Sequence, residues 1–556
     1  MTTTDPQTLA TPELAEARPA RARGEGRFVA ALITLMLALV AAPAVYAYLS
    51  TPPERHFTGV IFNIVDHNQY FAWMRDLAHA NLAPNRLTAE PNAPALFHLL
   101  WWSAGRVGAI FGLEYAAVFG GLRVIATVLL LGVAYGFLRI AVADLAQRRL
   151  AFLLFCFAGG VGFVWIIVKY ALGLPEAPFP FDIYTSEPNS FFIALAFPHF
   201  GIALALLIAM IGLTLYAQQR GRLRYAVAAG LVGALIGLQH AYDLLTIYTV
   251  LGLWGLLIWW RDGRFPLLLG KAAAIIAACT IPPAAYLAYL VLSDATWGGK
   301  LEQFDNAGAW TPNPLHLPIL LGVPLVLALI GFRPRMLRSR SDGEILVAVW
   351  FLAHFALVYL PLSFQIHLLL GWQVPISILA AMALQQRIWP WLRARTPRLA
   401  PFAVAAILTL CVASNAYIWL WRFYDLSRHS APYYLTQNEV AALRWLEANT
   451  TREDVVLGAL ELNQHVPVWS DARAFLAHWA GTLDYFEKLR LAQVVLSPTA
   501  PAAERAAILE QFDVSYVLVR EQDSPRAQLA AAAPALALVF EQGEVSIYRV
   551  LPGGER

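Results

Sequence analysis

Long apolar runs, separated by short polar loops, dominate this sequence. The first run, at residues 28–49, contains no charged side chain. An α-helix rises about 1.5 Å per residue, so a run of this length crosses the roughly 30 Å hydrocarbon core of a bilayer. The pattern predicts a mainly α-helical, polytopic membrane bundle of about eleven spans. Ten further runs lie at residues 115–141, 149–171, 190–217, 225–239, 242–260, 266–292, 315–332, 344–361, 366–386 and 400–421.

The composition excludes the other broad classes of protein. Hydrophobic residues make up 59% of the chain and charged residues 14%, whereas soluble domains have about 45–50% apolar and about 25% charged residues. A soluble fold and a disordered chain are both excluded. The formal net charge of +3 gives no indication of a nucleic-acid partner. The three cysteines lie in apolar runs, which argues against a disulfide framework or a cysteine metal site.

The arginine distribution predicts the orientation of the bundle. Nineteen arginines fall in alternate loops and in the N-terminal segment, whereas the intervening loops hold only five basic residues. Because cytoplasmic loops are enriched in arginine and lysine, the N-terminus is predicted to be cytoplasmic. Splitting the long run at the polar residues 239–243 preserves this asymmetry. An odd number of spans then places the C-terminal region outside the plasma (inner) membrane.

These features predict three regions. Residues 1–27 form a disordered cytoplasmic tail, residues 28–424 form the membrane body, and residues 425–556 form a small extracytoplasmic α/β domain. The body includes a long first outer loop at 50–114, whose apolar stretch 95–111 is predicted to lie along the membrane interface. In the C-terminal region, strands are predicted at 454–458, 514–519 and 545–550. Helices are predicted at 439–447 and near 484–495 and 501–511.

Two acidic residues in outer loops are candidates for chemistry. Asp66 follows an apolar stretch, and a helix starting there would put Asp66, Tyr70 and Trp73 on one face. Asp66 is either a helix cap, a catalytic carboxylate or both. Glu187 ends the loop after the third span, where a carboxylate also suits a helix N-terminus.

Ionisable residues inside spans are costly in hydrocarbon and usually face a cavity or a partner. The predicted topology brings several of them to the outer membrane face beside the two carboxylates. A packing role stays open for any single histidine. The converging polar residues are Asp66, Glu187, His199, His240, Asp243, Gln365 and His367.

Two segments resemble a known family. The block at residues 66–76 resembles the "Asp…Tyr…Arg-Asp" start of the first outer loop in bacterial members of the GT-C superfamily of polytopic glycosyltransferases. The segment at 187–200 is similar to a stretch in membrane proteins of that group. The resemblance implies a polyprenyl-phosphate-linked sugar donor, a glycan, lipid or protein acceptor at the outer face, and Asp66 as the base. Glu187 is the second candidate catalytic residue.

The resemblance also implies a cationic partner for the leaving lipid phosphate. Arg75 and Arg123 are the candidates for that charge. The family's acidic pair is not intact, because His67 and Asn68 follow Asp66. A divalent cation therefore stays an open cofactor, with Asp66 and Glu187 as its ligands if it binds. The predicted substrate contacts are His67, Tyr70, Arg75, Arg123, His199, His240, Tyr242, Asp243, Gln365 and His367.

The same sequence features also suit two other classes of function. A lipid or polysaccharide transporter or flippase would use the same polar residues without covalent chemistry, and a scaffold would use the C-terminal domain to bind a partner. The segments 469–473 and 478–482 contain tryptophans that either contact a sugar or pack the C-terminal domain onto the body. A glycosyltransferase requires Asp66 and Glu187 to face one cavity.

Overall fold

The computed structural model describes residues 12–307, 310–525 and 536–551, with the backbone alone for residues 12–23, 305 and 307. The first eleven α-helices are α1 Pro12–Ser50, α2 Ile64–His79, α3 Leu99–Phe111, α4 Tyr115–Ala141, α5 Leu145–Phe157, α6 Gly162–Ala171, α7 Ser190–Ala196, α8 Pro198–Arg220, α9 Arg224–Gly237, α10 Asp243–Asp262 and α11 Leu267–Ser293. They are followed by α12 Ala295–Glu302, α13 Leu317–Gly331, α14 Asp342–Leu357, α15 Gln373–Ala383, α16 Trp389–Arg395, α17 Ala400–Ser427, α18 Gln437–Asn449, α19 Leu460–Asn463, α20 Val466–Trp469, α21 Tyr485–Leu496 and α22 Ala502–Gln511. The strands are β1 Arg55–Phe57, β2 Tyr434–Thr436, β3 Val455–Gly458, β4 Arg473–Ala474, β5 Val514–Arg520, β6 Leu536–Gln542 and β7 Val545–Val550.

Within the described residues, eight helices are long and apolar enough to cross a membrane, or nine if the bent pair α5–α6 forms one span. The chain is therefore a multi-pass membrane protein, but the predicted count of eleven is not confirmed. The runs at 225–239 and 344–361 form the shorter helices α9 and α14, of 14 and 16 residues. The apolar stretch at 95–111 forms the 13-residue helix α3, which is too short to span.

Helix α1 begins at Pro12, within the segment 1–27 that is predicted as a cytoplasmic tail. Residues 1–11 lie outside the described residues, and the tail stays a prediction. Side chains of α4 and α5 hold this helix at Glu25. The Glu25 carboxylate accepts a hydrogen bond from the Tyr135 hydroxyl and pairs with Arg148.

A five-stranded sheet with the order β4-β3-β5-β7-β6 lies near the C-terminus. The three predicted strands are confirmed as β3, β5 and β7, and the predicted helices as α18, α21 and α22. Strands β4, β3 and β5 are parallel, whereas β7 is antiparallel to β5 and β6. One face of the sheet packs on α18 and the other on α21 and α22. Burial on both faces explains why the central strands are continuous apolar runs.

Arg86 ties the first loop to the C-terminal region. Its guanidinium is 2% exposed, and Nε donates to both carboxylate oxygens of Asp76 at 3.0 Å. The two Nη groups donate to the carbonyls of Ser470 and Pro467 at 2.8 and 2.7 Å. Burial raises the pKa of Asp76, and the Arg86 charge opposes that rise. The ion pair thereby fixes α2 against the C-terminal region.

Replacing Arg86 should strongly destabilise this junction. Arg86→Leu leaves the Asp76 carboxylate buried without its cation, which costs about 3–5 kcal/mol in comparable pairs. We expect the free energy of unfolding, measured by denaturation in detergent, to fall by about that amount. The matched control is Arg490→Leu, because Arg490 pairs with Glu487 on the exposed surface and should cost less than about 1 kcal/mol. Equal losses in the two variants would contradict this account.

Candidate functional site

A cavity of about 540 Å³ lies where the first loop, several membrane helices and the C-terminal region meet. Its size is typical of cavities that bind small molecules. Its wall combines aromatic rings with carboxylates, imidazoles and one amine. The polar lining residues with side chains relevant to chemistry are Asn63, Asp66, Gln69, Tyr70, His98, Glu187, His199, Gln239, His240, Tyr242, Lys300, His367 and His478.

Asp66 lies in the first turn of α2, at the cavity wall. The residue that caps α2 is Asn63, with φ 44°, so the predicted cap position belongs to Asn63 rather than to Asp66. The Asp66 Oδ2 atom accepts from Asn63 Nδ2 at 2.6 Å. Its Oδ1 atom accepts from His478 Nε2 at 2.9 Å and from Trp479 Nε1 at 3.3 Å. Three nitrogen donors therefore orient this carboxylate.

The hydrogen bonds of His478 fix its tautomer. Its Nδ1 atom accepts from the backbone N–H groups of Ala480 and Gly481 at 3.0 and 3.1 Å, so Nε2 carries the proton that it donates to Asp66. Burial lowers the pKa of His478 although the Asp66 charge opposes this shift. Burial alone would raise the pKa of Asp66, but the His478 hydrogen bond and charge, with His67 and Trp479, lower it. At neutral pH, Asp66 is ionised and His478 is neutral.

A second polar group lies across the cavity. The Glu187 Oε1 atom accepts from His367 Nδ1 at 2.8 Å. The His367 ring stacks on Tyr242 with a centroid distance of 4.9 Å. The Tyr242 hydroxyl lies 2.6 Å from His240 Nε2, and His240 Nδ1 lies 2.7 Å from Asp243 Oδ2. Asp243 and Tyr242 thereby hold the two ring nitrogens of His240.

Lys300, on α12, is the only amine among the described residues that line the cavity. Its Nζ donates to Gln69 Oε1 and lies over the rings of Trp73 and Trp297 at 4.4 and 5.6 Å. Burial lowers the pKa of Lys300 to about 7, and the Asp66 charge partly opposes the shift. No described carboxylate forms an ion pair with Lys300. An unpaired buried ammonium is costly, so the site is suited to an anionic ligand.

The structure brings seven of the twelve predicted site residues together in this cavity. They come from helices and loops that are far apart in sequence, as the predicted topology required. These residues are Asp66, Tyr70, Glu187, His199, His240, Tyr242 and His367.

Five predicted substrate contacts lie outside the cavity lining. His67 lies between the carbonyl groups of Asn63 and Ala196, and Asp243 lies behind His240. The Gln365 Oε1 atom accepts a hydrogen bond from Thr311 N, and its Nε2 atom donates one to the Leu360 carbonyl. Arg123 lies over the Phe119 ring. Arg75 pairs with two carboxylates of the C-terminal region, so neither arginine supplies positive charge to the cavity.

The described residues do not fit a divalent cation. Within the parts of the chain that the structure describes, no group of three or more His, Cys, Asp or Glu side chains could hold a metal ion. Both Asp66 oxygens face nitrogen donors, and His367 occupies a Glu187 oxygen. Such donors repel a cation. This donor set points to side chains as the source of positive charge in the site.

Neither a protein-family model nor a curated protein matches the sequence. Solved structures, however, share the fold. The archaeal oligosaccharyltransferase AglB from Archaeoglobus fulgidus, in complex with an inhibitory peptide and a dolichol-phosphate, aligns with a TM-score of 0.50 and 12% identity over 94% of this chain and 75% of that chain. The A. fulgidus oligosaccharyltransferase in complex with Zn and sulfate aligns with a TM-score of 0.51 and 13% identity, over 93% of this chain and 74% of that chain.

A mycobacterial protein has the same fold. The arabinofuranosyltransferase AftD from Mycobacteria aligns with a TM-score of 0.55 and 16% identity, over 95% of this chain. This chain covers 40% of AftD. The structural neighbours are GT-C glycosyltransferases, and the chain has the fold of that superfamily.

Proposed function

We propose that the chain is a membrane glycosyltransferase. It moves a sugar from a polyprenyl-phosphate-linked donor to an acceptor hydroxyl of a glycan, lipid or protein, in the cavity that Asp66 and Lys300 line. The observation that carries the proposal is this pairing: an ionised, oriented carboxylate and a buried amine without a carboxylate partner in the described chain face one cavity. Transfer of a sugar from a phosphate requires both a proton acceptor and a cation.

The Asp66 carboxylate binds the acceptor hydroxyl. A carboxylate has about four lone-pair sites, and three are used by Asn63, His478 and Trp479. The remaining site on Oδ2 can accept the acceptor hydroxyl. As the new C–O bond forms, that hydroxyl becomes acidic and its proton passes to Asp66. Because the pKa of Asp66 is lowered, proton transfer follows bond formation.

The Lys300 ammonium binds the phosphate of the donor. The bond between the anomeric carbon and the phosphate oxygen breaks as the acceptor attacks, and the phosphate oxygen leaves with the electron pair. An incoming phosphate stabilises the protonated form of Lys300, and the ammonium then stabilises the growing negative charge. The Tyr242 and His367 rings, close to Glu187, provide a stacked aromatic face and a carboxylate for the sugar hydroxyls.

The membrane setting supports a lipid-linked donor. Residues of several helices of a multi-pass bundle line the cavity, and one structural neighbour contains a dolichol-phosphate. The arginine distribution supports an N-terminus in the cytoplasm and a cavity at the outer face of the plasma membrane. There the isoprenoid tail would lie against the apolar helices while the phosphate reaches Lys300.

The proposal is tested with purified protein and a panel of polyprenyl-phosphate sugars. We expect one donor to yield free polyprenyl phosphate together with a glycosylated acceptor, both identified by mass spectrometry. Glycolipids and glycans of cells lacking the protein should lack the corresponding sugar. Movement of an intact glycolipid between the leaflets of proteoliposomes, with no cleavage, would instead identify a flippase and contradict the proposal.

His478 sets the acid limit of the reaction. In His478→Ala, Asp66 loses a hydrogen bond that lowers its pKa, so its pKa rises. Activity requires the ionised form, so the acid limb of the rate profile should move to higher pH by about one unit. Trp391→Ala, an exposed position outside the cavity, should leave the limb unchanged. An unshifted limb in His478→Ala would show that Asp66 ionisation does not control the rate.

A further inference from the structure

A second cavity lies on the other side of α2. It has a volume of about 230 Å³ and shares no lining residue with the first cavity. Its wall comes from the first loop, the start of α4 and the C-terminal region. The polar and aromatic lining residues include His56, Asn68, Arg75, Glu114, Glu447 and Trp469.

Helix α2 separates the two cavities because its opposite faces carry different polar residues. Asp66, Tyr70 and Trp73 lie on the face toward the first cavity. Asn68 and Arg75, seven residues apart, lie on the face toward the second. The two cavities are therefore separate sites with a common wall.

The second cavity offers the groups that bind an uncharged polyhydroxylated molecule. Trp469 and Tyr115 are partly exposed in it, and the Trp469 ring packs edge-on against His56 at 5.7 Å. Aromatic rings with a polar edge suit a ligand that has both an apolar face and hydroxyl groups. Arg75 and Asn68 supply donors, while Glu114 and Glu447 supply acceptors.

The charges of this cavity disfavour an anion. The Arg75 guanidinium is already paired with Glu447 at 3.3 Å and with Asp471 at 3.2 Å. Glu114 lines the cavity, is exposed and makes no side-chain capping bond to α4. Burial lowers the pKa of His56, and lowers that of His465 to about 3, so both rings are neutral at pH 7. A phosphate would meet uncompensated negative charge.

We propose that this cavity is a binding site for a neutral saccharide, separate from the cavity where Asp66 lies. In this site the apolar face of a sugar ring packs on Trp469. The Glu114 and Glu447 carboxylates accept hydrogen bonds from its hydroxyl groups. The site would hold a glycan chain between the first loop and the C-terminal region. Saccharide binding there does not depend on the transfer reaction proposed above.

The test is saccharide binding to the purified full chain in detergent, without a lipid donor. Saturation-transfer NMR is recorded with methyl glycosides of glucose, galactose, mannose and arabinofuranose. We expect at least one to bind, with the signal reduced about tenfold in Trp469→Ala and largely retained in Trp469→Phe. Glu114→Gln, at an exposed position, should weaken binding several-fold without a folding defect. Trp391→Ala, at another exposed tryptophan outside both cavities, should bind like the unchanged protein.

Variants of the first cavity distinguish saccharide binding in the second cavity from the proposed transfer reaction. Trp479→Ala should retain the Trp469-dependent signal, and that signal would persist even if no sugar transfer is ever detected. Binding by none of the glycosides would overturn the proposal. Binding of a glycoside that neither Trp469→Ala nor Glu114→Gln reduces would also overturn the proposal. The same measurement is made with inorganic phosphate and with an N-acetylated pentapeptide, and binding of only these two probes would overturn the proposal as well.

Discussion

Asp66→Asn should lower the rate of sugar transfer by about 10²–10⁴-fold, the range that a positioned proton acceptor contributes. The amide cannot take the proton of the acceptor hydroxyl. Its NH₂ group must also face Asn63 Nδ2 or the His478–Trp479 pair, all of which are donors in the native protein. The measurement is release of polyprenyl phosphate by equal amounts of purified protein, with donor binding recorded separately. Lys300 is unchanged, so the donor should still bind.

The control for this substitution is Asp262→Asn. Asp262 pairs with Arg261 on the surface at the end of α10 and lies outside both cavities. The variant should transfer sugar at the normal rate. Full activity in Asp66→Asn would remove Asp66 from the mechanism. Loss of donor binding along with the rate would mean that Asp66 acts on the donor rather than on the acceptor.

The membrane helices were predictable because lipid imposes a length and an absence of charge on each span. The run at 115–141 is reproduced by α4 without a shift. The predicted and observed helices differ where tertiary contacts decide. Residues 238–242 form the turn between α9 and α10 and bring His240 to the cavity, and the preceding helix α9 has 14 residues. Glu25 of α1 pairs with Arg148, a partner 123 residues away.

In the site, too, the residues set by the local sequence could be predicted, whereas the contacts set by the tertiary structure could not. Asp66, Glu187 and three histidines could be predicted because each is an ionisable group within an apolar run or close to one end of it. Lys300 is a basic residue in a loop where the topology predicts few, but nothing local places it on Trp73. His478 and Trp479 lie more than 400 residues from Asp66. Their pairing follows from docking of the C-terminal region, which periodicity does not encode. Arg75 and Arg123 are predicted as cationic partners of the phosphate, but the groups that they contact lie outside the cavity.

Lys300→Met should remove the positive charge that the proposed phosphate site requires. The methionine keeps much of the apolar stem against Trp73 and Trp297 but cannot pair with an anion. Truncating one partner of a buried charge pair costs about 2–5 kcal/mol of binding. We therefore expect donor affinity to fall by roughly 30-fold or more, measured as KM for the lipid donor. Lys271→Met is the matched control, because Lys271 is exposed on α11 and should leave KM unchanged.

The pH dependence of donor binding separates a charge effect from a packing effect. The pKa of Lys300 in the free protein is lowered to about 7 by burial, against the opposing charge of Asp66, and the nearby His98 and His478 are neutral since burial lowers their pKa values as well. Below pH 7 the amine is protonated and binds phosphate. Above pH 7 the protonated fraction falls about tenfold per pH unit, so KM should rise by that factor.

Lys300→Arg provides the decisive comparison. A guanidinium stays protonated throughout this range, so the variant should bind the donor with a KM that does not rise between pH 7 and 9. Its longer, planar group also changes the contact with Gln69, so its kcat is expected to fall while the pH dependence of KM disappears. A KM that rises with pH equally in the lysine and arginine proteins would show that another group controls donor binding. Lys300 would then be a packing residue on the tryptophans rather than the cation that receives the phosphate.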